Sequence, residues 1–280
     1  MTRTVVVTGA NTGIGLATAL ELASAGYDVV GTVRSEAKAK DLYDAATERG
    51  VALQAALLDV GDAASTEKGL AAIAERSDIW AVVNNAGFAQ AGAIEDVDDD
   101  AIRYQLEVNV VGPARIARLV LPGMRERGEG RIVNISSVAG RISLPLMGWY
   151  CASKHALEAM TDALRMEVAG SGIAVSLVEP GSFGTGIWEG AAYPDGDASS
   201  YADAYERAQR TTVAGARLLP DPVWVARTVR LALGSPVPLA RYLIGADAVG
   251  GVLAERLVPT AVSDLVKGVL TGVRRLPITR

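Results

Sequence analysis

Apolar residues fall along the chain in short, nearly unbroken runs, each followed by a longer stretch in which they recur every three or four positions. The runs are TVVVTG (4–9), DVVGTV (28–33), ALQAALLD (52–59), IWAVVNNAG (79–87), RIVNISS (131–137), IAVSLVEPG (173–181) and RYLIG (241–245). A run that is apolar throughout, without alternation, suits a strand covered on both faces. The intervening segments are rich in Ala, Leu, Glu and Arg at helical spacing. In IGLATALELASAG the expected packing positions are Ile14, Ala17, Leu20 and Leu22, with Gly26 as the stop. Strand and helix alternating at this length predict a parallel sheet with right-handed crossovers and helices on both faces.

The expected fold is therefore α/β: a doubly wound parallel sheet of about seven strands, Rossmann-like, in one domain. The 280 residues, half of them hydrophobic, suit one large core, and no linker, charge block or internal repeat divides them. The domain is expected over 1–248, with a substrate lid at about 185–217, and a C-terminal helical extension over 249–280. A net charge of −5 gives no bulk basic field for nucleic acid. Cys151 is the one cysteine, so no internal disulfide framework exists and a reducing, cytoplasmic setting is expected. MTRTVVVTGA is too short an apolar stretch for a signal peptide, and no run is long enough to span a membrane.

Two features suggest chemistry. The first strand runs into TGANTGIG, where Gly9, Gly13 and Gly15 precede a helix. Missing side chains let the backbone turn and approach a pyrophosphate, and the helix N-terminus supplies N–H groups and a favourable dipole. An ordinary glycine turn is the competing reading. In YCASKHALEAM, Tyr150 and Lys154 stand four residues apart and share a helix face. A lysine cation there is expected to lower the phenol pKa and fit it for proton transfer. The competing reading is a chance pair on a structural helix. His155, the only histidine, has no clustered ligands and is expected at the helix surface or in packing, so no metal site is expected. Cys151 is read as a small packing residue.

TGANTGIG, NNAG (84–87), NISS (134–137), YCASK (150–154) and PGSFGT (180–185) stand in the order and spacing of the classical short-chain dehydrogenases/reductases. Over about residues 3–245 the chain resembles that family, and YCASK with a tail past the last strand resembles its hydroxysteroid and retinol dehydrogenase-like branch. The resemblance implies hydride transfer between a nicotinamide cofactor and a CH–OH or carbonyl carbon, with Asn109, Ser137, Tyr150 and Lys154 as the catalytic set. Ser137 would hydrogen-bond the reacting oxygen, with Ser136 turned away by strand alternation. Asn109 would support a water relay to the lysine. It further implies cofactor contacts from Gly9, Asn11, Thr12, Gly13, Ile14 and Gly15. Asp59 and Val60 would lie at the adenine, and Asn85, Ala86 and Gly87 at the end of strand four. Pro180, Gly181, Phe183 and Thr185 would lie near the nicotinamide, with Tyr150 and Lys154 reaching its ribose. Asp59 as a turn or helix-capping residue is the alternative.

At the end of strand two, GTVRSE carries no acid to accept ribose hydroxyls; Arg34 follows, able to fork onto a 2′-phosphate. NADP(H) is favoured, with NAD(H) as the alternative. Arg34 as a solvated loop residue is the competing reading, and the family's other frequent basic residue, in the glycine loop, is replaced near Thr12. A small-molecule substrate, a bulky hydrophobic ketone or alcohol, is expected from Leu144, Met147, Trp149, Trp188 and Phe88, and from Tyr193, Tyr201 and Tyr205 of the lid. The family implies a homodimer or homotetramer. Alternatives are a catalytically idle NADP(H)-binding regulator and a protein-binding scaffold. In the tail, Val262, Leu265, Val266, Val269, Leu270 and Val273 form an apolar stripe, expected against the chain's own core, a second subunit or a membrane surface.

Overall fold

The computed structural model describes residues 2–186, 199–215 and 219–274, with 211–215 described through their backbone alone. Each predicted run forms a strand: β1 Thr4–Thr8, β2 Asp28–Val33, β3 Gln54–Leu57, β4 Ile79–Asn84, β5 Gly130–Ile135, β6 Ile173–Pro180 and β7 Arg241–Ile244. The helices between and after them are α1 Gly13–Ser24, α2 Glu36–Arg49, α3 Ala63–Ala74, α4 Asp99–Leu106, α5 Gly112–Arg127, α6 Gly148–Glu167, α7 Ala202–Gly215, α8 Val223–Gly234, α9 Ala246–Leu257 and α10 Thr260–Leu270.

The strands pair in parallel in the order β3-β2-β1-β4-β5-β6-β7. The order reverses between β1 and β4, which opens a crevice at the carboxyl ends of the strands. Alternation along each strand splits the core into two layers. Val5, Val7, Val29 and Val133 face Leu22 of α1, Leu42 of α2 and Val225 and Val229 of α8. Val6, Val30, Val82 and Ile132 face Leu70 and Ile73 of α3, Ile116 and Val120 of α5 and Leu164 of α6. β3 is shorter than its apolar run because it is the sheet edge: its pairing with β2 stops at Leu57, whose side chain is exposed.

Helix α1 departs from the expected packing. Gly15, Thr18, Ala19 and Leu22 are its buried positions, while Ala17 and Leu20 are half-exposed and Ile14 is partly buried. The small residues face inward because α1 lies close against the end of β1 and against α8. Gly26 stops the helix in the left-handed conformation, φ 87°, as expected. In the tail, α10 turns Val262, Val266 and Leu270 to solvent and buries Gly268; Leu265 and Val269 are partly buried, and Val273 after the helix is exposed. Among the described residues, the chain's own core covers only part of the stripe. Among the described residues no helix is long and apolar enough to cross a membrane, and no group of His, Cys, Asp and Glu is placed to hold a metal.

Candidate active site

The crevice is a cavity of about 700 Å³. Its floor is the turn from β1 into α1. Gly9 takes a positive φ of 65°, and a Cβ on Gly15 would lie 2.1 Å from the Gly9 carbonyl oxygen and 2.4 Å from Asn85 Nδ2. Asn85 closes this turn from β4, donating from Nδ2 to the Thr8 and Gly9 carbonyls at 2.9 and 3.2 Å. The backbone of Asn85 and Ala86 donates in return to Thr8 Oγ1, both at 3.0 Å. The strand end and the helix N-terminus are held so close that only backbone faces the cavity here. That is the cradle a pyrophosphate needs, so the residues present fit a dinucleotide.

The sequence-predicted cofactor residues converge on this cavity: Gly9, Asn11, Thr12, Gly13, Ile14 and Gly15 from the turn, Asp59 and Val60 after β3, Asn85, Ala86 and Gly87 after β4, and Pro180, Gly181, Phe183 and Thr185 after β6. Arg34 lines it too, with an exposed side chain. Asp59 lines the cavity, and its Oδ1 accepts from Gly61 N at 2.9 Å, as the alternative turn role expected.

Two contributors escaped the sequence reading. Lys38 lines the cavity from α2, one turn beyond Arg34. Asp247, in the first turn of α9, braces the loop after β6: its Oδ2 accepts from Ser182 N at 2.6 Å. Its carboxylate fills the space beside Gly181, where a Cβ would meet Oδ1 at 2.1 Å. The i, i+4 relation of Lys38 to Arg34 was a readable signal; nothing in the sequence linked Asp247 to Gly181.

Ser137, Tyr150 and Lys154 also line the cavity. The first turn of α6 presents Tyr150, which is 3 % exposed, and the next presents Lys154. Lys154 Nζ donates to the Ile135 carbonyl at the end of β5, at 2.9 Å, and lies 5.9 Å from the centre of the Tyr150 ring. Ser137 begins a short 3₁₀ turn, Val138–Gly140, where its Oγ accepts from Ala139 N at 3.1 Å. Ser136 is turned the other way, toward Gly140 and Glu158. Asn109 lies in a π-helical turn, Glu107–Val111, a kind of helical irregularity frequent at functional sites. Its side chain accepts from Phe88 N at 3.2 Å and donates to Phe88 O and to Ser153 Oγ, both at 3.0 Å. The amide thus ties α6 to the loop beside Gly87.

The electrostatics correct one expectation. Burial pushes the Tyr150 phenol up to about 12, against a hydrogen bond from Ser137 that lowers it and with a small upward contribution from Cys151. Lys154 does not bring it down. Burial likewise presses Lys154 down to about 8, opposed by the negative charge of Glu158. Exclusion of water is the largest cause for both groups. Cys151 is a buried thiol raised chiefly by burial, and His155 sits on the exposed side of α6 with Nδ1 at 2.8 Å from the Cys151 carbonyl.

Beside the phenol an apolar wall is formed by Met147, Cys151, Ala89, Ala91 and Ala139, with Leu144 packed against it. Leu146, within this loop, holds a positive φ of 65°, and its carbonyl accepts from Gly92 N at 2.7 Å. Trp149 is not part of the wall: its Nε1 points to the Ile94 carbonyl at 3.4 Å. Phe88 lines the cofactor cavity and stacks obliquely on Tyr104. Tyr205 is buried and Tyr201 partly so, packed with Ala93 and Leu146. Tyr205 Oη accepts from Ala93 N at 2.8 Å and donates to Asp96. Trp188 and Tyr193 lie outside the described residues.

The model of the family described as short chain dehydrogenase matches residues 3–193. The chain belongs to the short-chain dehydrogenase family. This family member is an oxidoreductase. It is 36 % identical over 248 residues to the uncharacterized oxidoreductase YusZ of Bacillus subtilis, covering 86 % of the chain and 88 % of that relative. It is 33 % identical over 256 residues to the 17-beta-hydroxysteroid dehydrogenase type 1 of Homo sapiens, covering 86 % and 77 %. The solved structure of an actinorhodin polyketide ketoreductase with NADPH superposes with a TM-score of 0.75 at 31 % identity, over 88 % of this chain and 97 % of that one. Other similar structures were solved with NADP, and another, from Burkholderia phymatum, with NAD.

Proposed function

We propose that this dehydrogenase uses NADP(H) to interconvert a secondary alcohol and a ketone, or an alcohol and an aldehyde, on a hydrophobic substrate. The observation that carries the reading is the meeting of Ser137, Tyr150 and Lys154 at one end of the dinucleotide-shaped cavity, against an apolar wall. Arg34 and Lys38 support NADP(H) over NAD(H): a cation directly after β2, where no acid ends the strand, and a second in the first turn of α2 suit a 2′-phosphate. The NADPH-bound ketoreductase and the hydroxysteroid dehydrogenase among its relatives point the same way for cofactor and substrate class.

Bound in the cavity, the cofactor supplies or accepts the hydride. The chain's own residues handle the oxygen and its proton. The Ser137 hydroxyl and the Tyr150 phenol polarise a carbonyl oxygen by hydrogen bonding, and Tyr150 gives that oxygen its proton from Oη. A phenol held near 12 carries its proton at every ordinary pH, as the donor role requires. Lys154, tied to the Ile135 carbonyl, places a cation beside the phenolate that forms. Leu144, Met147 and Cys151 exclude water on the substrate side.

The test is turnover of the purified chain with NADPH and NADH on ketones and aldehydes of graded apolar size, and the reverse with alcohols. NADPH oxidation that grows with substrate hydrophobicity is expected. Tight NADPH binding without turnover on any of them would favour an idle binding protein instead.

A further inference from the structure

The active-site face of α6 does not end at Lys154. Tyr150, Lys154 and Glu158 follow at four-residue steps and share one side of the helix. Glu158 is as buried as the lysine, each being 5 % exposed. Its Oε2 accepts from Arg241 Nε of β7 at 3.1 Å, while its Oε1 has no hydrogen-bond partner. The buried hydroxyl of Ser136 makes no hydrogen bond of good geometry either, but it lies close enough to Glu158 to favour its charged form. A Cβ on Gly140 would meet Ser136 Oγ at 2.8 Å, Glu158 Cγ at 2.9 Å and the Lys154 carbonyl at 3.2 Å, so a glycine is what lets them close together. Ser136 stands between Ile135, whose carbonyl holds Lys154 Nζ, and Ser137.

We propose that Glu158 is a positioning residue for the reaction: its buried carboxylate keeps Lys154 in the cationic form beside Tyr150 and, with Ser136, steadies the end of β5 that presents Ser137. This rests on the function proposed above. Electrostatics support it from both sides. The Glu158 charge is what opposes the loss of the Lys154 proton. Glu158 itself is raised to about 7, first by burial and then by Glu179, with Ser136 and Arg241 acting in the opposite direction.

The other charges around it are accounted for. Glu179 on β6 pairs with Arg141 at 3.2 Å and with Arg241 at 3.0 Å. Asp162, one turn further along α6, pairs with Arg241 and with Arg165. The guanidinium groups keep their charge throughout the accessible range, so Glu158 is the member whose ionisation Lys154 feels.

The test reads Lys154 directly. In chain labelled with ¹³C at the lysine ε-carbons, Lys154 is identified by the signal lost in Lys154→Arg, against those of Lys38, Lys40, Lys68 and Lys267. In the wild type its titration midpoint is expected at about 8, with a second, smaller inflection at about 7 as Glu158 ionises. In Glu158→Gln the midpoint should fall by about one pH unit and the second inflection should vanish. The alkaline limb of kcat should move down with it. A carboxylate that merely packed would change thermal stability and leave the Lys154 midpoint in place. An unmoved midpoint overturns the proposal. So does a single inflection in the wild type, which decides the matter even where the variant does not fold. These readouts need no turnover, so a failure of the proposed reaction, seen as no carbonyl reduction by the wild type, is distinct from a failure of the Glu158 coupling.

Discussion

Replacing Gly15 by alanine should damage both the fold and cofactor binding, and the coordinates indicate how far. The added Cβ would fall 2.1 Å from the Gly9 carbonyl oxygen, 2.9 Å from the Gly9 carbonyl carbon and 2.4 Å from Asn85 Nδ2. None of these is the free end of a flexible side chain: two are backbone, and the amide is held by the Thr8 and Gly9 carbonyls. A carbon normally stays about 3.3 Å from a carbonyl oxygen, so α1 must back away by about 1 Å. Forced overpacking of this kind costs about 1–3 kcal/mol. For a chain of this size that is a fall in Tm of roughly 2–10 °C. The same shift moves the N–H groups aimed at the pyrophosphate, and weakening charge-assisted hydrogen bonds there should lower NADPH affinity by about 10- to 100-fold. Calorimetry and fluorescence titration of NADPH measure the two effects. Gly250→Ala is the matched control: Gly250 lies inside α9 with nothing within 4 Å of the added carbon. It should be neutral or stabilising by up to about 1 kcal/mol. A Gly15→Ala chain that melts with the wild type and binds NADPH as tightly would refute the cradle.

Tyr150→Phe should lower turnover by ~10²–10⁴ with NADPH affinity nearly unchanged, because only the proton donor is lost; steady-state kinetics with a binding titration check it, and wild-type turnover would remove Tyr150 from the mechanism. Arg34→Asp, made alone and with Lys38→Glu, should shift the NADPH-to-NADH ratio of kcat/KM toward NADH by about tenfold or more, the double change exceeding the single. An unmoved ratio would make both cations solvated surface residues. Asp247→Ala should raise the KM for NADPH by roughly two- to tenfold, the worth of one net hydrogen bond, with little change in Tm because the pair is exposed. Equal KM values would show that Asp247 does not hold the loop after β6.

The sheet was legible because strands buried on both faces leave an unbroken apolar signature, which the five inner strands carry, while β3 and β7 at the edges are only partly buried and show it more weakly. The inward face of α1 was not, because it is set by closeness of approach rather than hydrophobicity. Leu20 is the better hydrophobe, yet Thr18 and Ala19 face the core, since the helix must come near enough to β1 for Gly15 to meet Gly9. The residues that line the cavity were readable from motif order. Asp247 was not, because its partner Ser182 is 65 positions away and joined to it only by the sheet. Trp149 lies outside the apolar wall beside Tyr150 for a related reason. Its neighbour Tyr150 points into the site, and adjacent residues on a helix point about 100° apart, which turns the indole toward Ile94.

The instructive difference concerns the tyrosine and the lysine. Spacing alone placed the two side chains on one face of α6, and there the structure agrees. Spacing also suggested that the cation would make the phenol acidic, which holds only where that attraction exceeds the cost of burying the charged forms. Tyr150 and Lys154 are instead buried together, so burial works against the charge of each: the phenol rises to about 12 and the ammonium falls to about 8. A lysine weakened in this way depends on whatever negative charge lies behind it, and on the same helix face that charge is Glu158. A four-residue period therefore identifies the members of the site, while the sign of their interaction is decided by how deeply the fold sets them.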